Sequence, residues 1–125
     1  MLCMNKYHSR KITVDGICFD SQREAQRYCE LVLLQRAGKI TNLERQKPYK
    51  LIPAQYETYP RLGKNGQKLK DGRRCIEKAV TYVADFVYLQ DGQLIVEDAK
   101  GVKTPEYVIK RKLMLYIRGI KITEI

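Results

Sequence analysis

Residues 82–101, YVADFVYLQDGQLIVEDAKG, decide the fold. Residues 80–90 are rich in β-branched and aromatic side chains, which favour extended structure. Asp91-Gly92 is a strong two-residue turn signal, and residues 93–100 run back with strand-like composition. The stretch therefore predicts a β-hairpin, and the rest of the chain can be interpreted around it.

The turn sets the register of this hairpin. Gln90 pairs with Gln93, and the same counting places Asp85 directly opposite Asp98. Directly opposed side chains lie roughly 4.5–5.5 Å apart at Cβ. Lys100 lies two residues beyond Asp98 and points to the same face. Because two opposed carboxylates repel unless positive charge separates them, we expect a divalent cation between them.

Glu97 is the residue most easily mistaken for Asp98. It points to the opposite face of the strand unless a bulge intervenes.

Mg²⁺ suits the Asp85–Asp98 pair because it prefers hard oxygen ligands, and Mn²⁺ is expected to substitute for it. With a nearby lysine, these groups suit metal-assisted phosphodiester hydrolysis. The alternative for Asp98 and Lys100 is a simple ion pair on an exposed strand.

Composition points to one globular domain with an anionic partner. The chain has 125 residues, 44% of them hydrophobic, and a net charge of +10. Nucleic acid is the first candidate partner. A membrane is not expected, because no long apolar run or basic amphipathic anchor is present. A basic structural protein remains an alternative.

The four cysteines include no CxxC pair, and there is one histidine, so a zinc site is not expected. The cysteines are interpreted as reduced and mostly buried. No apolar signal-peptide segment begins the chain. We therefore expect a cytoplasmic protein.

The chain before the long hairpin contains further elements. Residues 1–10 are expected to be loosely held, and residues 11–19 predict a short hairpin that turns at Asp15-Gly16. A helix is predicted over residues 22–36. Ser21 and Glu24 match a capping box at its start, and Glu24 is alternatively a third acid of the site. Residues 40–53 predict an edge or bent strand around Pro48. Gln46 is predicted to face solvent, with a place in the site as the alternative.

Residues 59–78 are predicted to be a basic loop, because they contain one proline and three glycines. Such a loop, beside two tyrosines, can follow a phosphate backbone, although a solvated surface loop is the alternative. The candidate DNA-binding residues are Lys64, Lys68, Lys70, Arg73, Arg74 and, farther along, Lys110.

After the long hairpin, Thr104-Pro105 predicts the start of a second helix. Its predicted apolar stripe consists of Ile109, Leu113, Tyr116 and Ile117. Residues 120–125 alternate as a closing strand. The sequence as a whole predicts an α/β fold, with a central mixed sheet flanked by helices.

Asp85, followed on the next strand by Asp98-Ala99-Lys100, resembles the motif of the PD-(D/E)xK nuclease superfamily. The resemblance covers about residues 11–123 and implies a restriction-endonuclease-like αβββαβ core over residues 22–125. The segments FDSQREAQRYCEL, YVADF and VEDAKG, followed by TPEYVIKRKLM, are similar to small phage-encoded endonucleases related to Holliday-junction resolvases. Ala84 departs from the proline that names the motif.

The resemblance implies a Mg²⁺-dependent endonuclease that acts on DNA, with branched replication or recombination intermediates as candidate substrates. Asp85 and Asp98 would be metal ligands, Ala99 a ligand through its carbonyl, Glu24 an auxiliary acid and Lys100 the catalytic lysine. A homodimer would make two cuts in a symmetric junction. The location implied for a phage protein is the bacterial host cytoplasm. The alternative is a non-catalytic nucleic-acid-binding protein on the same fold.

Overall fold

The structure, a computed structural model, describes residues 2–4 and 10–125. Strands β1 (Leu2–Met4), β2 (Arg10–Val14) and β3 (Ile17–Phe19) form an antiparallel sheet. Asp15 and Gly16 turn between β2 and β3 with φ of 52° and 77°, so the first predicted hairpin is confirmed. Residues 5–9, on which part of the predicted loose N-terminus falls, lie outside the described residues.

The first helix, α1, spans Gln22–Arg36, as predicted. The side chain of Ser21 accepts a hydrogen bond from the backbone N–H of Glu24 at 3.1 Å, which caps the helix. Ala25 and Leu31 are buried on its inner face. This cap therefore fixes where the helix begins, and so where Glu24 lies.

Strand β4 spans Thr41–Ile52 and continues through Pro48, which pairs with Val83. Gln46, near the middle of β4, has a φ of 51°. A non-glycine residue in this left-handed region is uncommon, above all inside a strand. The strand is therefore distorted at Gln46, two residues before the proline.

The prediction of a loop at residues 59–78 is wrong. The structure has strands β5 (Gln55–Leu62) and β6 (Lys68–Glu77), which pair with each other and with no other described strand. Of the three glycines that suggested a loop, Gly63 and Gly66 lie in the turn that connects the two strands. The other glycine, Gly72, lies under the Tyr59 ring, where a Cβ would come within 2.2 Å of the ring. The glycine that suggested a loop is needed for cross-strand packing.

Strands β7 (Val80–Gln90) and β8 (Gln93–Asp98) form the long hairpin in the predicted register. Gln90 pairs with Gln93, and Phe86 pairs with Glu97. Asp91 and Gly92 turn the chain with φ of 51° and 77°. Two successive positive φ values are typical of a type I′ turn, which matches the twist of the strands.

The second helix, α2, spans Pro105–Arg118 and ends at Gly119, which has a φ of 65°. Its predicted apolar stripe is wrong. The buried residues are Tyr107 and Met114, while the Tyr116 side chain is 89% exposed. Residues 107 and 114 form a second apolar series at helical spacing, and the sheet packs against that series. Ile109 and Ile117, also in the predicted stripe, are exposed, whereas Leu113 is half-buried and packs against the core.

Strand β9 (Thr123–Glu124) completes the central sheet and runs parallel to β8. The strand order is β4-β7-β8-β9, and the other neighbours in this sheet are antiparallel. The central sheet is therefore mixed, as predicted, and β4 lies at its edge.

Two hydrophobic clusters lie against this sheet. One contains Tyr107 and Met114 of α2, and the other contains Ala25 and Leu31 of α1. Strand β7 contributes to both, with Tyr82, Ala84 and Val87 in the first cluster and Phe86 and Tyr88 in the second. The regular alternation of β7 side chains between the two faces of the sheet is therefore interrupted between Ala84 and Phe86. This change falls at Asp85, beside the distortion at Gln46.

The described cysteines, Cys18, Cys29 and Cys75, are free but exposed, so the expectation of burial is wrong for them. Cys18 and Cys29 lie on β3 and α1, whose buried faces carry Phe19 and Leu31, whereas Cys75 lies on β6, which contributes to neither hydrophobic cluster. Among the described residues, neither helix is long and apolar enough to cross a membrane.

Candidate active site

The end of the long hairpin gathers the acids and the lysine that the sequence singled out. Asp85 accepts a hydrogen bond from the backbone N–H of Ala99 at 2.8 Å. Asp98 is 1% exposed and accepts a hydrogen bond from the Tyr82 hydroxyl at 2.5 Å. The Lys100 ammonium lies 3.2 Å from Asp98 Oδ1. The three residues therefore belong to one cluster, where the C-terminal end of β8 lies beside the middle of β7.

Asp98 Oδ1 is the unusual atom of this cluster. It is buried and has no hydrogen-bond partner among the described residues. The nearby Lys100 ammonium makes an ion pair with it that lacks hydrogen-bond geometry. A buried carboxylate oxygen without a hydrogen bond is costly, so it marks a place where a further cationic or donor group fits.

The surroundings favour the protonated form of Asp85. Burial raises the pKa of Asp85 to about 7, and the charges of Asp98 and Glu24 act in the same direction. The Ala99 N–H opposes this rise, because it stabilises the carboxylate. Burial, reinforced by the neighbouring acids, therefore disfavours the charged form of Asp85.

Glu24 joins this cluster from the first turn of α1. It is 7% exposed, and burial raises its pKa, while the charge of Arg45 lowers it. One Gln46 nitrogen, Nε2, lies 3.2 Å from Glu24 Oε1 and 3.4 Å from Asp85 Oδ1. The Gln46 amide thus bridges the helix acid to the strand acid. Gln46 is exposed, as the preferred prediction had it, and its amide also reaches the acids, which was the alternative.

Arg45 is a site residue that the sequence analysis missed. Its guanidinium lies 4.5 Å from the centre of the Phe19 ring and 3.8 Å from Glu24 Oε1. Its Nε is buried and has no hydrogen-bond partner among the described residues. The side chain places positive charge beside Glu24. Its position next to Gln46 was the available signal, but strand alternation alone would have put it on the other face.

Glu97 points away from this cluster, as predicted. Arg27 of α1 binds both of its oxygens, at 2.8 and 2.7 Å, and the Tyr88 hydroxyl donates to Glu97 Oε2. Hydrogen bonding to Glu97 raises the pKa of Arg27, and burial together with Glu97 raises that of Tyr88 to about 12. Both oxygens of Glu97 thus accept hydrogen bonds within the fold, whereas one oxygen of the adjacent Asp98 does not.

A cleft of about 240 Å³ opens beside Lys100. Tyr82, Tyr107 and Lys110 are among the residues that line it. The Lys100 ammonium lies 4.6 Å from the centre of the Tyr107 ring, which holds it by a cation–π contact. The cleft therefore brings a second cation, Lys110, to the same side of the cluster.

The donor set of the cluster suits a hard divalent cation. Asp85 and Asp98 supply carboxylate oxygens, and Asp98 Oδ1 makes no hydrogen bond. As the side chains stand, no three His, Cys, Asp or Glu residues within the described ranges form a ligand set. The available set is therefore two carboxylates, and Mg²⁺ is commonly bound through one or two carboxylates together with its own waters.

A family profile described as "Protein of unknown function (DUF1064)" matches residues 4–124. The chain belongs to this family. No curated protein matches the chain, and no solved structure matches it. In this DUF1064 member the whole acidic cluster lies within the matched residues.

The candidate DNA-binding residues of this DUF1064 member occupy two places. Lys110 lies on α2 at the cleft and makes an ion pair with Glu106 at 3.1 Å. The others lie on β6 or in the turn before it, and all are exposed. These are Lys64, Lys68, Lys70, Arg73 and Arg74. They are therefore on a hairpin rather than in a loop.

Proposed function

We propose that the protein is a divalent-metal-dependent endodeoxyribonuclease that hydrolyses phosphodiester bonds. The observation that carries this proposal is Asp98, which is buried beside Asp85 and has an oxygen without a hydrogen bond. A fold that needed Asp98 only for stability would be expected to give both of its oxygens hydrogen bonds, as it does for Glu97, whereas Asp98 Oδ1 has only the ion pair with Lys100. Retention of this costly group favours a functional role.

Asp85 and Asp98 would hold the metal, with the carbonyl of Ala99 and the carboxylate of Glu24 as further candidate ligands. When bound, Mg²⁺ supplies Lewis acidity towards a phosphate oxygen and towards water. Tyr82 holds Asp98 by a hydrogen bond, and the Ala99 N–H holds Asp85. These contacts keep the two carboxylates oriented before substrate arrives.

Lys100 is the candidate for stabilising charge on the scissile phosphate. Its ammonium is near Asp98 and over the Tyr107 ring, at one side of the open cleft. A phosphate in this cleft would meet the Lys100 and Lys110 side chains. Positive charge that is already in place lowers the energy of the transition state without reorganisation.

The arrangement of elements also supports the proposal. The helices and central strands follow the order α1, β4, β7, β8, α2, β9. This order is similar to the αβββαβ core of PD-(D/E)xK nucleases, with β5 and β6 inserted after the first strand. Branched replication or recombination intermediates are the proposed substrates, and a homodimer would provide two cuts on a symmetric junction.

A cleavage assay tests the proposal. Purified protein should cut at least one of linear duplex, single-stranded, flapped and four-way DNA in Mg²⁺ or Mn²⁺, and none of them in EDTA. Asp85→Asn, Asp98→Asn and Lys100→Met should each lose at least about a hundredfold in rate, because each removes a ligand or a charge-stabilising group. Asp91→Asn is the matched control, since asparagine tolerates the left-handed turn position.

One observation favours a second candidate function, a nucleic-acid-binding protein without catalysis. The Lys100 ammonium already lies close to Asp98, and no third ligand is in place among the described residues. Calorimetric titration with Mn²⁺ separates the two functions. Binding that is lost in Asp98→Asn favours the nuclease, whereas absence of binding in the wild type favours the second function.

A further inference from the structure

The hairpin of β5 and β6, which we call the ribbon (Gln55–Leu62 and Lys68–Glu77), stands apart from the core. It contributes no residue to either hydrophobic cluster, and nearly all of its side chains are exposed. A two-stranded hairpin without a covered face is marginally stable in water. A ribbon of this length is therefore expected to have a binding role that offsets its poor burial.

Two arginine–tyrosine stacks stiffen the ribbon. The Arg73 guanidinium lies 3.7 Å from the centre of the Tyr56 ring, and the Arg74 guanidinium lies 4.5 Å from that of Tyr59. Directly paired positions share a face, so the first stack lies on one face and the second on the other. Arg74 also bonds Glu57 at 2.9 Å. Both faces of the ribbon thus present a guanidinium held in place.

Charge on the ribbon is segregated along its length. Residues 61–70, at the turn end, contain four cations and no acid. The acids of the ribbon, Glu57, Asp71 and Glu77, lie closer to its base. The turn end is therefore a purely cationic surface, which fits a polyanion better than it fits a protein surface of mixed charge.

The occupied tyrosine rings indicate which polyanion fits. Proteins that hold single strands offer aromatic faces on which bases stack. Here the two ribbon tyrosines carry guanidinium groups, and Gly72 lies against the Tyr59 ring. A phosphate backbone needs no free ring, and a two-stranded ribbon fits the major groove of duplex DNA.

We propose that the ribbon binds the phosphate backbone of a duplex arm beside the cleavage site, without reading sequence. This inference rests on the proposed nuclease function and specifies its substrate class as DNA with a flanking duplex. Val80, where the ribbon rejoins the sheet, is five strand residues from Asp85, or about 17 Å. That is about five base pairs of DNA. The eight residues of β5 add about 27 Å of reach, so a duplex of about thirteen base pairs is needed to span the whole distance.

Binding measured in EDTA tests the ribbon independently of cleavage. The variant combines Lys64→Gln, Lys68→Gln and Lys70→Gln. The control combines Arg36→Gln, Lys39→Gln and Lys121→Gln, which removes the same charge from exposed positions outside the ribbon. Fluorescence anisotropy would follow a 20-base-pair duplex, an 8-base-pair duplex and a 20-nucleotide single strand at several salt concentrations.

We expect the ribbon variant to reduce the salt slope of log K on the long duplex by about 2.7, or 0.9 for each lost phosphate contact. The salt slope of the control variant on the long duplex should change by less than one. The slope of the ribbon variant on the short duplex and on the single strand should also change by less than one. An equal change in the control, or on the single strand, would overturn the proposal. So would an unchanged slope with loss of a dimer in gel filtration, because the ribbon would then bind a second copy.

The two proposals can fail separately. A wild-type protein that cuts none of the DNA panel, but whose duplex binding depends on the ribbon as described, contradicts the nuclease and leaves the ribbon proposal supported. A protein that cuts DNA, but whose salt slope is unaffected by the ribbon variant, supports the nuclease and overturns the ribbon proposal.

Discussion

Glu97 and Asp98 are adjacent acids, each 1% exposed, yet the structure predicts opposite effects on stability when each is neutralised. Glu97 is bound by Arg27 through both oxygens and by Tyr88. Asp98 has one hydrogen bond, from Tyr82, and its other oxygen makes an ion pair with Lys100 but no hydrogen bond. The pair therefore tests whether the fold uses one carboxylate and merely tolerates the other.

For Glu97→Gln we expect a loss of about 3 kcal/mol in the free energy of unfolding. Removal of one partner of a buried ion pair costs about 3–5 kcal/mol. The lower value applies because the Arg27 side chain is one-quarter exposed and keeps an ion pair with Glu30 at 2.8 Å. Asp98→Asn should change stability by less than about 1 kcal/mol, or increase it. It removes the ion pair with Lys100, whose side chain is about one-third exposed, but it also removes a charge that repels Asp85 and keeps an acceptor for Tyr82.

Urea unfolding at pH 7.5 in EDTA, with equal m-values required, measures both effects. A double variant of Arg27→Met with Glu97→Leu is the control. It should be more stable than Arg27→Met alone, which leaves Glu97 buried without its cation. An Asp98→Asn loss as large as that of Glu97→Gln would refute the reasoning, because Asp98 would then be as much a part of the folded framework as Glu97.

Three further predictions concern the same cluster. In EDTA, stability should fall as pH rises from about 4 to about 7 and then level off, because folding raises the pKa of Asp85 from 3.8 to about 7 and the folded state holds the extra proton. Urea unfolding at pH 5 and 8 should show a difference of at most about 2.6 kcal/mol, reduced by partial solvation and abolished in Asp85→Asn. Gln46→Gly should be more stable than Gln46→Ala by about 1 kcal/mol in thermal unfolding, because only glycine adopts a φ of 51° without strain; a more stable alanine variant would contradict this. Mn²⁺ at a hundred times its Kd should stabilise the wild type by about 2.7 kcal/mol, with no effect on Asp98→Asn, and an equal gain in both proteins would place the ion elsewhere.

The sequence predicted the parts of the site that depend on local rules. The Asp91-Gly92 turn fixed the register, and this register separated Asp98 from Glu97. The cap at Ser21 fixed the start of α1 and hence the position of Glu24. Both rules act over a few residues, and for this reason they could be applied without a structure.

The rest depended on interactions that pattern alone does not contain. Strict alternation would put Ala84 and Phe86 on one face, but the structure places them in different clusters, at the position opposite the distorted Gln46. The same distortion brings the Gln46 amide to the acids. In the ribbon, Gly72 looked like a loop residue. Its reason, the packing of the Tyr59 ring against it, is a contact between two strands that the sequence pattern does not show. On α2, two apolar series compete, and only the sheet decides between them.

The distorted segment of β4 also protects the molecule from its own edge. A twelve-residue edge strand is a template on which another chain can add a strand and begin aggregation. Here Pro48 lacks a donor, Gln46 departs from extended geometry, and Lys47 and Lys50 add charge along the strand. These features oppose sheet extension along β4. A second copy of the chain would therefore have to associate through a different surface, so the geometry that serves the acids also limits how the protein can assemble.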